Sequence, residues 1–156
     1  MKFNFRVLTN NPERLNVVAT KLGATKADVV TMKDIGKPFV MGTKGNFALA
    51  ATGNSIDGFL DSIDAGPTED GMIFGGVARG GQGSRFEVQL EGTANVLDLV
   101  TAGANPTYGT ATTTSRGIVK KAADQAAAGL NLWRIISFAH DGTAGVAGDI
   151  AVIERI

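Results

Sequence analysis

Short apolar segments alternate with glycine-bearing breaks roughly every eight to twelve residues along the run 45–92, GNFALAATGNSIDGFLDSIDAGPTEDGMIFGGVARGGQGSRFEVQLEG. That rhythm predicts a compact antiparallel β domain. Its plainest segment is 85–90, where Phe86, Val88 and Leu90 alternate with Arg85, Glu87 and Gln89, so one face is buried and the other wet. Strands are further predicted at 39–41, 47–50, 56–63 and 72–77, with the polar loop 65–71 joining the last two. Downstream, 96–100 is another apolar segment, 116–120 a short strand, and 121–128 either a helix of about two turns or a loop. The run 130–138 and the closing 147–156 form a final strand pair around a turn at 141–143, with Leu132 and Trp133 as core anchors.

The N-terminal part is less uniform. Phe3, Phe5 and Val7 alternate with Lys2, Asn4 and Arg6 as a short strand would. Residues 11–23 carry helix punctuation, with Asn11 as cap, Pro12, Glu13 and a closing Gly23, yet Leu15, Val17 and Ala19 alternate as in a strand. Both assignments stay open for 12–22. Residues 27–32 read as a second weak strand before the turn 33–38. The expected fold class is therefore all-β, a single small antiparallel β-barrel domain over 36–156 preceded by an N-terminal arm or extension over 1–35.

Composition narrows the chemistry. A chain of 156 residues suits one core. No apolar run approaches the ~20 residues of a spanning helix, and the start has no signal-peptide pattern, so no membrane partner is expected and synthesis is placed in the cytoplasm. With no cysteine, disulfides, thiol catalysis and thiolate metal sites are excluded. A single His140 builds no multi-histidine metal site; beside Asp141, with no nucleophile near, it reads as a turn residue.

Formal charge sums to zero but is polarised. Residues 1–44 carry eight Lys/Arg against three Asp/Glu, net +5, and residues 45–115 two against eight, net −6. A basic arm on an acidic body suits docking against an acidic surface, a neighbouring copy included. Basic residues this dispersed, with few aromatics among them, predict no nucleic-acid partner.

The glycine-dense run 75–84 lacks the GK[ST] ending and following helix of a phosphate loop, so its glycines are scaffold. Asp57, Asp61, Asp64, Glu69 and Asp70 fall within fourteen residues but lack EF-hand spacing; a solvated acidic edge accounts for them. No cofactor, metal or catalytic residue is assigned. Residues 102–115, AGANPTYGTATTTS, are expected to be an exposed loop rich in small residues that serves as a contact surface.

GNSIDGFLDS, ARGGQGS and VIERI are similar to pieces of trimeric dUTPases, but in that family the ERI motif precedes the glycine-rich tail, the reverse of the order here. A broader resemblance spans 35–156: DIGKPFVMG, NFALAATGNSIDGFLDSID, MIFGGVARGG, WRIISF and GTAGVAGDIAVIERI, in that order, resemble the capsid decoration or cement proteins of tailed bacteriophages. The resemblance implies a β-tulip-like fold and a non-enzymatic structural virion protein. Such a protein sits on the outer capsid surface between major capsid protein subunits and adds capsid stabilisation after expansion, often as a homo-oligomer. Expected contact residues, to the capsid or to another copy, are Lys2, Phe3, Phe5 and Arg6 in the arm and Asn105, Pro106 and Tyr108 in the loop. The alternatives are a receptor- or glycan-binding fibre or knob module working through 102–115 and, more distantly, a dUTPase-like hydrolase.

Overall fold

The computed structural model describes residues 17–67 and 70–156, and these are nearly all-β, 41% strand against 5% helix. Five strands close a barrel in the order β1-β3-β2-β4-β5: β1 Val17–Leu22, β2 Pro38–Met41, β3 Phe47–Leu49, β4 Gly58–Pro67 and β5 Ile73–Ala78. A second sheet follows from β6 Arg85–Leu90, β8 Val100–Ala102, β9 Ile118–Lys121, β10 Trp133–Phe138 and β12 Ile150–Arg155, ordered β10-β12-β6-β9-β8. The two-residue strands β7 Ala94–Asn95 and β11 Ala144–Gly145 pair with each other, and the one α-turn among the described residues, α1, is Gln125–Ala128.

The second sheet also nearly closes. Leu99 bridges Arg134, the Leu97 amide donates to the Ile135 carbonyl at 2.7 Å, and the Ile135 amide donates to the Asp98 carbonyl at 3.0 Å. The chain entering β8 therefore covers the outer side of β10. Closure leaves little of either sheet's backbone unpaired.

Glycine allows the barrel to close tightly. β5 lies between β1 and β4, and a Cβ on Gly75 would stand 2.2 Å from the Ser62 carbonyl oxygen and 2.8 Å from Leu22 Cδ1. The glycines expected to be scaffold are thus, at Gly75, a requirement of strand spacing. A β-bulge in β4 lets Leu60 pair with Val77 and Ser62 with Gly76, leaving Asp61 as the extra residue.

One continuous core runs through both sheets. Its centre is an aromatic triad: Phe59 of β4, Phe86 of β6 and Trp133 of β10 have ring centroids 5.0, 5.5 and 5.4 Å apart, all with no exposed surface. The Trp133 indole N–H donates to the Ile56 carbonyl at 3.1 Å, which satisfies its one polar atom inside the core.

Several expectations change. Val17–Leu22 is a barrel strand, paired antiparallel with β5 from Val17↔Ala78 to Leu22↔Ile73, so the boundary expected after residue 35 falls inside the barrel, and the open choice between helix and strand is settled as strand from Val17 onward. Two pairings, β1 with β3 and β6 with β9, are parallel. The weak strand expected at 27–32 is instead coil leading into a 3₁₀ turn, Met32–Asp34, whose start is fixed by a Thr31–Asp34 capping box. Leu130 is fully exposed and Leu132 only half-buried, so Trp133 alone of the expected pair is a core anchor.

Candidate interaction surface

The loop between β8 and β9 is not the free excursion expected. Ala102, Gly103 and Thr112 are buried, and the loop wraps around one ammonium group. Lys37 Nζ donates to the carbonyls of Thr110 at 2.7 Å, Pro106 at 3.0 Å and Thr107 at 3.1 Å, and contacts Asp34 Oδ1 at 2.6 Å. Asp34 in turn accepts from the Thr31 amide at 2.8 Å and, on both oxygens, from the Gly109 amide at 2.9 and 3.0 Å. Both side chains are within 1% of full burial. Gly109 adopts φ 78°, the left-handed conformation that turns its amide toward Asp34. A buried ion pair is tolerated when hydrogen bonds satisfy every remaining charge-bearing atom, as here. The pair latches the loop to the rim of the barrel.

Once latched, the loop presents a fixed relief. Asn105 holds β9: its Oδ1 accepts from the Ile118 amide at 2.8 Å, and its Nδ2 donates to the Ile118 and Gly103 carbonyls at 2.9 and 3.1 Å. The Tyr108 hydroxyl accepts from the Leu49 amide at 2.8 Å, and its ring meets Phe39 edge-on at 6.4 Å. Burial pushes the Tyr108 phenol above its usual range, the Leu49 hydrogen bond opposes this, and Asp28 and Asp34 add to the rise. Tyr108 and Asn105 line one wall of an open depression of about 490 Å³ whose other walls are Ala48–Thr52, Ala24 and Asp28. Its floor is largely alanine and leucine, and its rim carries one carboxylate.

Of the expected contact residues, the structure brings Asn105 and Tyr108 together at this depression. Pro106 is half-buried, and its carbonyl turns inward to Lys37. Lys2, Phe3, Phe5 and Arg6 lie outside the described residues. Sequence reasoning missed Asp34 and Lys37, and Asp28, whose carboxylate accepts from the Ala24 and Thr25 amides at 2.8 and 3.0 Å and so shapes the rim.

The other candidate clusters disperse. Asp57 accepts from the Met41 amide and from Asn131 Nδ2, both at 2.8 Å, and Asp70 pairs with Lys21. Among the described residues no three His, Asp or Glu side chains converge as a metal site. His140 stacks flat on Phe138 at 5.3 Å and contacts Asp149, not Asp141, at 3.1 Å. The Val146 amide holds the Asp149 carboxyl below its usual range; desolvation opposes it, and the hydrogen bond and charge of His140 add smaller contributions in the lowering direction. Among the described residues no helix is long and apolar enough to cross a membrane.

Asp61, the bulge residue, behaves differently: burial raises its carboxyl above the usual 3.8. A folded-state value above the unfolded one means the native protein binds the proton more tightly, so stability falls as pH rises from about 3.8 through the raised value. Asp61→Asn is therefore expected to be more stable than the parent at neutral pH, with the difference vanishing in acid. Urea midpoints measured at both extremes check this; a constant difference would mean that another property of the side chain sets it.

No family model, curated protein or solved structure matches this chain.

Proposed function

We propose that the chain is a structural virion protein that decorates the outer surface of a tailed-phage head, seating between major capsid protein subunits and stabilising the expanded shell. One observation carries the reading. The five segments that resemble decoration proteins coincide in order with β2, the β3–β4 unit, β5, β10 and β12, so the resemblance falls on the walls of both sheets and not on scattered loops. The latched loop adds support, because a rigid relief of small residues loses little conformational entropy when it is covered by a partner. Contacts of this size are individually weak, and many copies on one symmetric lattice, self-association included, supply the avidity. In this reading the basic segment before β1 grips the capsid and the relief around Asn105 and Tyr108 faces capsid or neighbouring copies.

Sedimentation with expanded, undecorated capsids tests the proposal. The protein is expected in the pellet, saturating at a fixed copy number per particle; protein left wholly in the supernatant ends the reading. Deletion of residues 2–9 is expected to leave the circular dichroism spectrum unchanged and to weaken pelleting by at least the tenfold that about 1.4 kcal/mol of lost binding represents. Undiminished pelleting of that variant would remove the gripping arm while leaving decoration itself intact.

A further inference from the structure

The depression beside the β8–β9 loop opens where β1 and β3 part. Those two strands pair at one position only, Leu22↔Phe47, and past it the Leu49 amide of β3 donates to the Tyr108 hydroxyl at 2.8 Å in place of a strand. What remains between the loop and the barrel rim is an open hollow of about 490 Å³. Ala48, Leu49, Ala50 and Ala51 line it, with Tyr108 and Asp28 in its walls.

The polar chemistry of this hollow is one-sided. Asp28 is half-buried and carries the only charge among the lining residues. Its Oδ2 accepts from the Ala24 and Thr25 amides at 2.8 and 3.0 Å, which fixes the carboxylate in place. Its Oδ1 has no hydrogen-bond or ion-pair partner among the described residues. The other fixed polar groups are already committed: Asn105 bonds Gly103 and Ile118, and the Tyr108 oxygen accepts from Leu49 and keeps only its own O–H to donate. Thr52 and Thr107 stand exposed at the lip.

We propose that this hollow receives a lysine side chain presented by a partner protein. The four-carbon stem covers the alanine and leucine surface, and the ammonium reaches Asp28 Oδ1 near the Tyr108 ring. One ammonium balances the one carboxylate. A neutral apolar side chain would cover that charge and leave it unpaired, which is costly. The fork of an arginine needs two carboxylate oxygens, and here one is taken by the two amides, so a compact ammonium fits better. A saccharide would find one free carboxylate oxygen and one phenol hydroxyl as its only fixed partners. The inference rests on the reading of this relief as a partner-facing surface, and its test contains no capsid, so the two fail separately.

The test is titration of the whole protein with N-acetyllysine methylamide, followed by the methyl NMR signals of Ala48, Ala50 and Ala51, with Ala144 on β11 as a control outside the hollow. The three methyls should shift together on one saturable curve while Ala144 stays still. N-acetylnorleucine methylamide, which has the stem without the ammonium, should bind about tenfold more weakly, the loss of one charge-assisted contact. Asp28→Asn should weaken the lysine response by a similar factor, since its side-chain oxygen still accepts from Ala24 and Thr25 but the charge is gone. Should that variant fail to fold, salt gives the same answer on the parent protein. Raising it from about 0.05 M to about 0.5 M should weaken the lysine response and leave the norleucine response unchanged. A non-saturating shift, an equal shift at Ala144, norleucine binding as tightly as lysine, or tighter binding of N-acetylarginine methylamide or of methyl glucoside would each overturn the assignment. Full affinity in folded Asp28→Asn, or a lysine response indifferent to salt, would overturn it too.

Discussion

Replacing Lys37 by methionine is expected to destabilise the protein by about 3–5 kcal/mol, the usual cost of removing one partner from a buried ion pair. The loss has two parts. Asp34 would keep a buried negative charge with no counter-charge, and the carbonyls of Pro106, Thr107 and Thr110 would lose their shared donor. Against a total of roughly 5–15 kcal/mol for a domain, that brings the fold close to its limit. The urea midpoint gives the size of the effect, and amide exchange at Gly109 gives its location, since that amide is held only through Asp34. Asp34→Asn combined with Lys37→Met should recover part of the loss, because the stranded charge goes with it. A Lys37→Met protein with the parent's midpoint would show that the loop is held by its other contacts.

Trp133→Ala is expected to cost a similar amount, about 3–5 kcal/mol, from cavity formation at a large aromatic residue. The indole is the piece common to two ring contacts, one to Phe59 in the barrel and one to Phe86 in the second sheet, and its N–H holds the Ile56 carbonyl. Its removal therefore weakens the union of the two sheets more than either sheet alone. Calorimetry should record a lower and broader transition as that coupling loosens. One sharp transition at the parent temperature would mean that Phe59 and Phe86 alone join the halves.

Strands with one wet face were the most legible. β6 was bounded correctly from its alternation, and Phe86, Val88 and Leu90 are all buried, because a period of two on a half-exposed sheet is itself the physical signal. The expected strand at 27–32 failed for a local reason. Val29 and Val30 favour extended chain, but the flanking Asp28 and the Thr31–Asp34 box bond their side chains to nearby amides and so compete with any ladder. Most of the apolar run 96–100 is kept out of a ladder by a similar local contact: Asp98 accepts from the Asn95 amide, and Leu97 turns out at φ 75° with 67% of its surface exposed.

The latch was illegible for a different reason. Lys33, Asp34 and Lys37 read as an ordinary charged turn, and the acceptors that bury Lys37 are main-chain carbonyls about seventy positions away, which every residue type possesses. The small-residue run 102–115 does fall almost wholly in the loop between β8 and β9, as its composition suggests, but no composition reveals that a loop is fastened.

The closed barrel and the bridged second sheet have one more consequence, for crowding. Proteins held side by side at high local density tend to zip together through bare strand edges, and such growth is hard to stop once begun. In the described part of this chain those edges are already occupied by its own strands, from β1 on β5 to the Leu99–Arg134 bridge. Copies brought side by side, as the proposed function requires, would therefore meet through side chains and fixed loops, without a free strand edge to extend. Such a molecule can be packed shoulder to shoulder without its neighbours becoming templates for misassembly.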